Sequence, residues 1–161
     1  MIAMKYLLTL AICFFLHFLV AQSETPTPVA NPKYDKALAE KLGANEYGMK
    51  SYFLVILKTG SNLTATKEET TESFKGHMAN IGRLVAEGKL IVAGPLAKNE
   101  LQYRGIFILN NLNSPEEAHA LLQTDPAIKN GLLGYELLTW FGSAALPEYL
   151  PFSDKIWRVN P

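Results

Sequence analysis

The stretch "FKGHMANIGRLVAEGKLIVAGPL", residues 74–96, predicts a helix that runs into a β-strand. Thr66 and Glu69 form a capping box ahead of it, and Gly88 suits the end of the helix. At about 100° per residue the apolar side chains fall on one stripe, which we expect to face the core. The members of this stripe are Phe74, Met78, Ile81, Leu84 and Val85. The segment "KLIVAG", residues 89–94, then forms the strand that follows the helix.

Together with this helix, the remaining predicted strands and helices follow the order of a known fold. "SYFLVILK" (51–58) is a nearly continuous apolar run with β-branched and aromatic members, which is typical of a buried strand. "RGIFIL" (104–109) and "ELLTWF" (136–141) predict two further strands, and Ser114 with Pro115 starts a second helix. The order strand, helix, strand, strand, helix, strand predicts an α+β, ferredoxin-like βαββαβ fold. Both helices cover one sheet face, so a second copy of the chain is the simplest cover for the other.

The first residues predict export. Residues 1–22 have the layout of a secretory signal peptide, in which Lys5 precedes an apolar run at 6–20 and a short exit at 21–23. The run is short for a membrane span, which needs about 20 apolar residues, and an uncleaved anchor is the alternative. We therefore expect a secreted or periplasmic protein that has no membrane attachment after cleavage.

The rest of the chain divides into a linker, a main domain and a tail. Prolines without apolar periodicity predict a linker at residues 23–33, and residues 34–48 contain a short amphipathic helix. The main domain occupies residues 49–142. Residues 143–161 form a tail with several large apolar side chains, which can pack on its own domain or across a dimer. The sequence leaves both alternatives open.

Composition excludes several classes of partner. The 15 basic residues balance the 15 acidic ones, and no basic run is present. Proteins that bind nucleic acid through its phosphates carry a basic patch or stripe, so we expect no nucleic-acid partner. The sequence also shows no spacing of metal ligands and no glycine-rich phosphate loop, so neither a metal nor a cofactor is expected.

His77 is the first candidate for chemistry because it falls inside the apolar stripe, between Leu84 and Ile81. A polar ring in that position needs a hydrogen-bond partner or costs about 1–3 kcal/mol. It is either a structural histidine bonded to a backbone carbonyl or an acid–base group. Gly76 precedes it, and glycine inside a helix costs about 0.5–1 kcal/mol relative to alanine. We therefore expect a strand or a ligand to approach the backbone closely beside His77.

Asp125 is the second candidate. Pro126 disfavours helical geometry at Asp125, which leaves its carboxylate available to a site. Asp-Pro is equally typical of a helix start, with Asp125 as the cap and Pro126 at the first position. Both interpretations stay open. His119, on the second helix, lies off the apolar face, and we expect it at the solvated surface.

Taken together, "GHMANIGRLVAEGKLIVAGPL", "RGIFIL" and "TDPAIKNGLLGYELLTWF" closely resemble the YCII-related domain family over roughly residues 51–141. The matching features are a histidine on the first helix, a strand that ends in Gly-Pro, an Asp-Pro pair and a glycine before the last strand. In this sequence they are His77, Gly88–Pro95, Asp125-Pro126 and Gly131. The resemblance implies a dimeric α/β barrel with an active site made of His77 and Asp125. Known chemistry in the family includes a dehydrochlorinase that acts on a chlorinated hydroxyquinol.

The leading hypothesis is therefore an exported enzyme in which His77 and Asp125 transfer a proton on a small organic molecule, by elimination or isomerisation and without a cofactor. Its expected partners are that molecule and a second copy of the chain. The alternative is a non-catalytic module of the same fold that binds a ligand or a partner protein. An enzyme needs His77 open to a pocket, whereas a binding module needs only the pocket.

Overall fold

The computed structural model describes residues 31–153, 155–156 and 158. The predicted signal peptide, residues 1–22, and most of the predicted linker lie outside the described residues. Contacts divide the chain after Tyr34, and the fold below is that of the unit that begins at Asp35. Within the described part of the chain, no helix combines the length and the apolar character needed to cross a membrane.

The elements of the main unit follow the predicted order. They are α1 (Lys36–Leu42), β1 (Met49–Thr59), α2 (Lys67–Ala86), β2 (Leu90–Pro95), β3 (Tyr103–Leu109), α3 (Pro115–Leu122), α4 (Pro126–Lys129), β4 (Leu133–Ser143), a 3₁₀ turn (Leu146–Tyr149) and α5 (Leu150–Ser153). The elements from β1 to β4 form the βαββαβ unit, and the second helical element is divided into α3 and α4. The helix α1 has no buried residue.

The four strands form one sheet in the order β2-β3-β1-β4, and every neighbouring pair is antiparallel. This arrangement is the ferredoxin-like sheet, so the predicted fold class is confirmed. Strand β4 is longer than the predicted 136–141 because it pairs with β1 along the whole length of both strands, from Met49 opposite Ser143 to Thr59 opposite Leu133.

The helices begin where the capping residues predict. The Oγ1 atom of Thr66 accepts from the backbone N–H of Glu69 at 3.2 Å, and the Glu69 carboxylate accepts from the backbone N–H of Thr66 at 2.8 Å. Ser114 accepts from the N–H of Glu117 at the start of α3. Gly88 follows α2 with φ of 67°, a conformation that glycine adopts without strain.

The core lies between the sheet and the helices. It is formed by alternate residues of β1 and β3 and by residues of α2, α3 and α4, among them Phe53, Val55, Phe107, Leu84, Leu122 and Ala127. Burial against one face of the sheet, at about 25 cal/mol per Å² of apolar surface, is the main stabilising contribution. This packing places α2 and α4 side by side above the sheet.

The buried side of α2 differs from the predicted stripe. Phe74, Met78 and Val85 are 36%, 46% and 37% exposed, and the buried residues of α2 are Ser73, His77, Asn80 and Leu84. The prediction was wrong for those three apolar side chains. α4 packs against a different flank of α2 and buries it, and helical periodicity alone does not show where α4 lies. The flank of α2 that faces α4 is polar, and its side chains have polar partners there: Asn130 donates to Ser73, and Asp125 contacts His77 and Asn80.

The sheet face away from α2 and α3, called the open face here, carries apolar side chains. Its members include Leu54, Ile56, Ile106, Ile108 and Leu138, of which the first four are half-buried and Leu138 is 49% exposed. Register pairing places Leu54 opposite both Ile108 and Leu138. In the described part of the chain none of these five side chains belongs to the core cluster, and the apolar surface of this face is only partly removed from water.

The tail beyond β4 contacts its own domain. The Tyr149 hydroxyl donates to the backbone carbonyl of Ile91 on β2, the edge strand farthest from β4 in the sheet. At the start of the tail the Tyr52 hydroxyl donates to the carbonyl of Ser143 at 2.8 Å. Of the two alternatives for the tail, packing on its own domain is therefore observed as far as Tyr149. Beyond it, Phe152 and Ile156 are exposed.

Candidate active site

The structure brings the two predicted site residues together. His77 lies on α2, Asp125 is the N-cap of α4, and Nδ1 of His77 is 2.7 Å from Oδ2 of Asp125. The aspartate side chain is 1% exposed and the histidine side chain 10% exposed. A hydrogen bond of this length between an imidazole and a carboxylate is charge-assisted and strong. The contact is therefore largely shielded from water, most of all at Asp125.

The two oxygens of Asp125 have separate partners. Oδ1 accepts from the backbone N–H groups of Ala127 and Ile128 at 2.9 and 3.3 Å, which caps α4. Oδ2 faces Nδ1 of His77 and also accepts from Nδ2 of Asn80 at 3.3 Å. The two interpretations of Asp125 are therefore compatible, because one carboxylate both starts the helix and contacts the histidine.

The surroundings of Asp125 favour its ionised form. Burial raises the pKa of the carboxyl. The hydrogen bond and the positive charge of His77 lower it, and so do the hydrogen bonds from Asn80 and from the Ile128 N–H. The net effect is a pKa below the ordinary value. At neutral pH the carboxylate can only accept hydrogen bonds, so the contact assigns a proton to Nδ1 of His77. In the neutral imidazole, Nε2 is then the basic nitrogen.

Arg83, which sequence reasoning missed, holds Asn80 in place. Arg83 donates from Nη2 to Oδ1 of Asn80 at 2.7 Å and to Oγ1 of Thr124 at 2.8 Å, while Nη1 is bound to Glu87. Because the carbonyl oxygen of Asn80 is occupied in this way, its amide nitrogen points at Asp125. The signal was available in the sequence, since His77, Asn80 and Arg83 are spaced three residues apart on one side of α2.

Gly76 permits the close approach of the two helices. A Cβ atom at this position would lie 2.6 Å from Cγ and 3.1 Å from Cβ of Pro126. The expectation that a strand or a ligand fills this space is wrong, because the ring of Pro126 at the start of α4 fills it. The glycine and the proline thus allow α4 to sit against α2, which brings Asp125 within reach of His77.

The His77 ring borders a cavity of about 450 Å³ between α2 and the sheet. Its lining is mostly apolar and includes Leu57, Phe74, Met78, Ile81 and Phe107. The imidazole stacks on Phe107 at a ring distance of 5.8 Å and meets Phe74 edge-on at 5.9 Å. Nε2 of His77 has no hydrogen-bond partner among the described residues. A small molecule in the cavity can therefore meet this nitrogen.

The other candidates lie apart from the cavity. His119 is exposed, as predicted, and its Nδ1 lies 2.9 Å from the hydroxyl of Tyr135. It does not line the cavity. In residues 31–153 and the described tail positions, no group of three or more side chains that bind metals comes together.

The topology and these contacts define a ferredoxin-like α+β domain with a buried histidine–aspartate pair beside an apolar cavity. The model of the YCII-related domain matches residues 52–140, and the chain belongs to this family. No curated protein matches the chain.

Among solved structures, the chain is similar to 5-chloro-2-hydroxyhydroquinone dehydrochlorinase from Burkholderia phenoliruptrix, in a complex with 2,5-dihydroxybenzoquinone. The identity is 21%, the match covers 55% of this chain and 92% of that chain, and the TM-score is 0.39. A similarity with so low a score shows neither the site nor the reaction of this chain.

Proposed function

We propose that this protein is an enzyme that moves a proton on a small organic molecule, in an elimination or an isomerisation. The observation that supports this proposal is the 2.7 Å contact between His77 and Asp125, with the imidazole at the wall of the 450 Å³ cavity. A pocket with a histidine and a buried carboxylate partner is the usual setting of general acid–base catalysis.

In this mechanism Nε2 of His77 takes a proton from a carbon atom of the bound molecule. The electron pair of that C–H bond forms a new double bond. In an elimination the leaving group departs with its own electron pair, and in an isomerisation the proton returns to a different carbon. Asp125 acts as a positioning residue, because its carboxylate accepts the hydrogen bond from Nδ1–H and its charge stabilises the imidazolium that forms.

The cavity wall contributes by holding the imidazole ring in place. Phe74 and Phe107 contact the imidazole from the edge and the face, which fixes the plane of the ring and leaves Nε2 directed at the ligand. A base held in this way typically contributes a factor of about 10²–10⁴ in rate.

Deuterium exchange at carbon tests the proposal with a panel of candidate substrates. Small carbonyl compounds and phenols are incubated with the protein in D₂O, and NMR follows the exchange. We expect catalysed exchange with a subset of the panel, and its loss in His77→Gln. His119→Gln removes the exposed histidine and is the matched control. Binding in the cavity without exchange would favour the non-catalytic ligand-binding alternative instead.

Two further properties belong to the same proposal. The domain acts outside the cytoplasm after removal of residues 1–22, which the signal-peptide layout supports. It is a homodimer that joins the open faces of two sheets, which the partly exposed apolar side chains of that face support. Mass spectrometry of the exported protein tests the first property, and light scattering tests the second.

A further inference from the structure

We infer that Arg104 is the specificity-determining residue of the cavity and that the ligand is a small apolar organic anion, with a carboxylate or a phenolate as its charged group. The assignment of this anion as a substrate rests on the proposed function. The assignment of the binding preference rests on the cavity alone.

The first observation is the position of Arg104. In regular β3 pairing, Gly105 and Phe107 face the helices, and Arg104 would face the opposite side of the sheet. The register between β1 and β3 shifts at this point, since Leu57 is opposite Gly105 while the next residue, Lys58, is opposite Tyr103. Tyr103 and Arg104 thus lie together opposite Lys58, and Arg104, an exposed residue, lines the same cavity as Gly105 and Phe107. Such bulges re-aim a side chain and are frequent beside active sites.

The second observation is the charge balance of the cavity. Apart from His77, Arg104 is the only ionisable residue that lines it among the described residues, and no carboxylate lines it. Arg104 forms no salt bridge within the described part of the chain, whereas the guanidinium of Arg83 is bound to Glu87. The cavity thus has a permanent positive charge that no side chain of its own wall compensates.

These observations determine the class of ligand. An apolar wall favours a ligand with an apolar body. An arginine among the lining residues favours a planar anion, because a guanidinium can bind such an anion with two parallel hydrogen bonds. The same charge would stabilise the negative charge that develops when His77 removes a proton from carbon. The positive charge of Arg104 therefore serves both the binding of the anion and the removal of its proton.

Benzoate and benzamide are suitable probes because they share one shape and differ in charge. Binding to the purified protein is followed by NMR shifts at the cavity residues. We expect benzoate to bind about tenfold more tightly than benzamide. Arg104→Gln should abolish that preference, and Arg104→Lys, which keeps the charge but not the two parallel hydrogen bonds, should retain part of it. Lys98→Gln removes an exposed cation from the loop between β2 and β3 and is the matched control, so the preference should stay unchanged.

A second probe separates the two anions. 4-Nitrophenol, compared above and below the pH at which it ionises, shows whether a phenolate is accepted as well as a carboxylate. Equal binding of benzoate and benzamide, a preference that survives in Arg104→Gln, or no shift at the cavity with any probe at millimolar concentration would each overturn the inference.

His77→Gln distinguishes this inference from the proposed function. We expect this variant to keep the preference for benzoate while it loses deuterium exchange. A lost preference in His77→Gln together with an intact one in Arg104→Gln would assign the positive charge to the imidazole and overturn the role of Arg104. The exchange assay on wild-type protein would still test the proton-transfer function by itself.

Discussion

Oδ2 of Asp125 lies 2.7 Å from Nδ1 of His77, although 48 residues separate them in the chain, and Oδ1 of the same carboxylate caps α4. The start of α4 and the orientation of the imidazole are thus coupled through one side chain. Asn80, held by Arg83, supplies a further donor to the same oxygen. Each of these hydrogen bonds has a fixed donor and acceptor, so a change at Asp125 alters which nitrogen of His77 carries the proton.

Asp125→Asn should reverse the tautomer of His77. If the asparagine oxygen keeps the helix cap, its amide nitrogen replaces Oδ2 and donates to Nδ1. Nε2 then carries the proton and cannot act as a base. We expect a folded variant that is about 1–3 kcal/mol less stable, because the amide nitrogen of Asn80 loses its acceptor. Exchange activity should fall by about 10²–10⁴.

Nitrogen-15 NMR of the His77 side chain measures the tautomer directly. The wild-type protein should show a protonated Nδ1, and the variant a protonated Nε2. Asp35→Asn, which changes the cap of the exposed helix α1, is the matched control. A folded Asp125→Asn protein in which Nδ1 still carries the proton would contradict direct pairing.

Gly76→Ala should destabilise the protein. The new Cβ would lie 2.6 Å from the rigid ring of Pro126, so α2 and α4 must move apart. Such overpacking costs about 1–3 kcal/mol, against about 0.5–1 kcal/mol of improved helix propensity. Gly82→Ala is the control on the same helix, since no atom lies within 4 Å of its added Cβ, and it should stabilise the protein.

Urea unfolding of these variants gives the free energies. The double variant Gly76→Ala with Pro126→Ala should recover part of the loss, because the ring that the methyl group meets is removed. If Gly76→Ala stabilises the protein as much as Gly82→Ala does, the tight contact between the helices is not present in solution.

Acid should remove the stabilising contribution of Asp125. Its pKa is lowered in the folded protein, so the unfolded chain binds the proton more readily than the native state does. The contribution is complete above about pH 4, the ordinary range of an aspartate, and is lost as the pH falls through the lowered folded value.

The measurement compares the free energy of unfolding of wild-type protein and Asp125→Asn as the pH falls. The difference between them should be fully present above about pH 4 and should shrink as the pH falls below it, because asparagine does not titrate. Asp35→Asn controls for the loss of a carboxylate that caps a helix. A difference between wild type and Asp125→Asn that does not depend on pH would show that the ionised form of Asp125 has no preferential stabilisation in the folded state.

The protein should be a homodimer through its open face. Leu138 is 49% exposed on that face, and Leu138→Lys should produce a monomer by placing a charge in an apolar interface. Leu63→Lys is the control at a position that is 83% exposed and precedes α2. Light scattering gives the mass of each protein, and a wild-type monomer at micromolar concentration would contradict this assembly.

The exported protein should begin near Ser23. Cleavage after the short exit of the signal peptide follows from the charged start and the apolar run at residues 6–20. Mass spectrometry of the protein recovered outside the cytoplasm gives the mature N-terminus. Recovery of a soluble cytoplasmic protein that retains Met1 would exclude export.

The elements and their order could be predicted from the sequence because their signals are local. Thr66 with Glu69 and Ser114 with Pro115 start the helices by hydrogen bonds within one turn, and the apolar runs of the strands mark their positions. Strand β4 was underestimated, since its length depends on pairing with β1 rather than on its own composition.

Only the tertiary structure decided how the site is assembled. Periodicity along α2 indicated an apolar buried stripe, but the position of α4 buries the polar flank with His77 and Asn80 and leaves Phe74 to line the cavity. The contact of Gly76 with Pro126 and the hydrogen bond from Arg83 to Thr124 depend on the same docking of two helices. These relationships join residues that lie far apart in the chain, and their energies come from packing and from satisfying buried polar groups, which no local pattern of residues specifies.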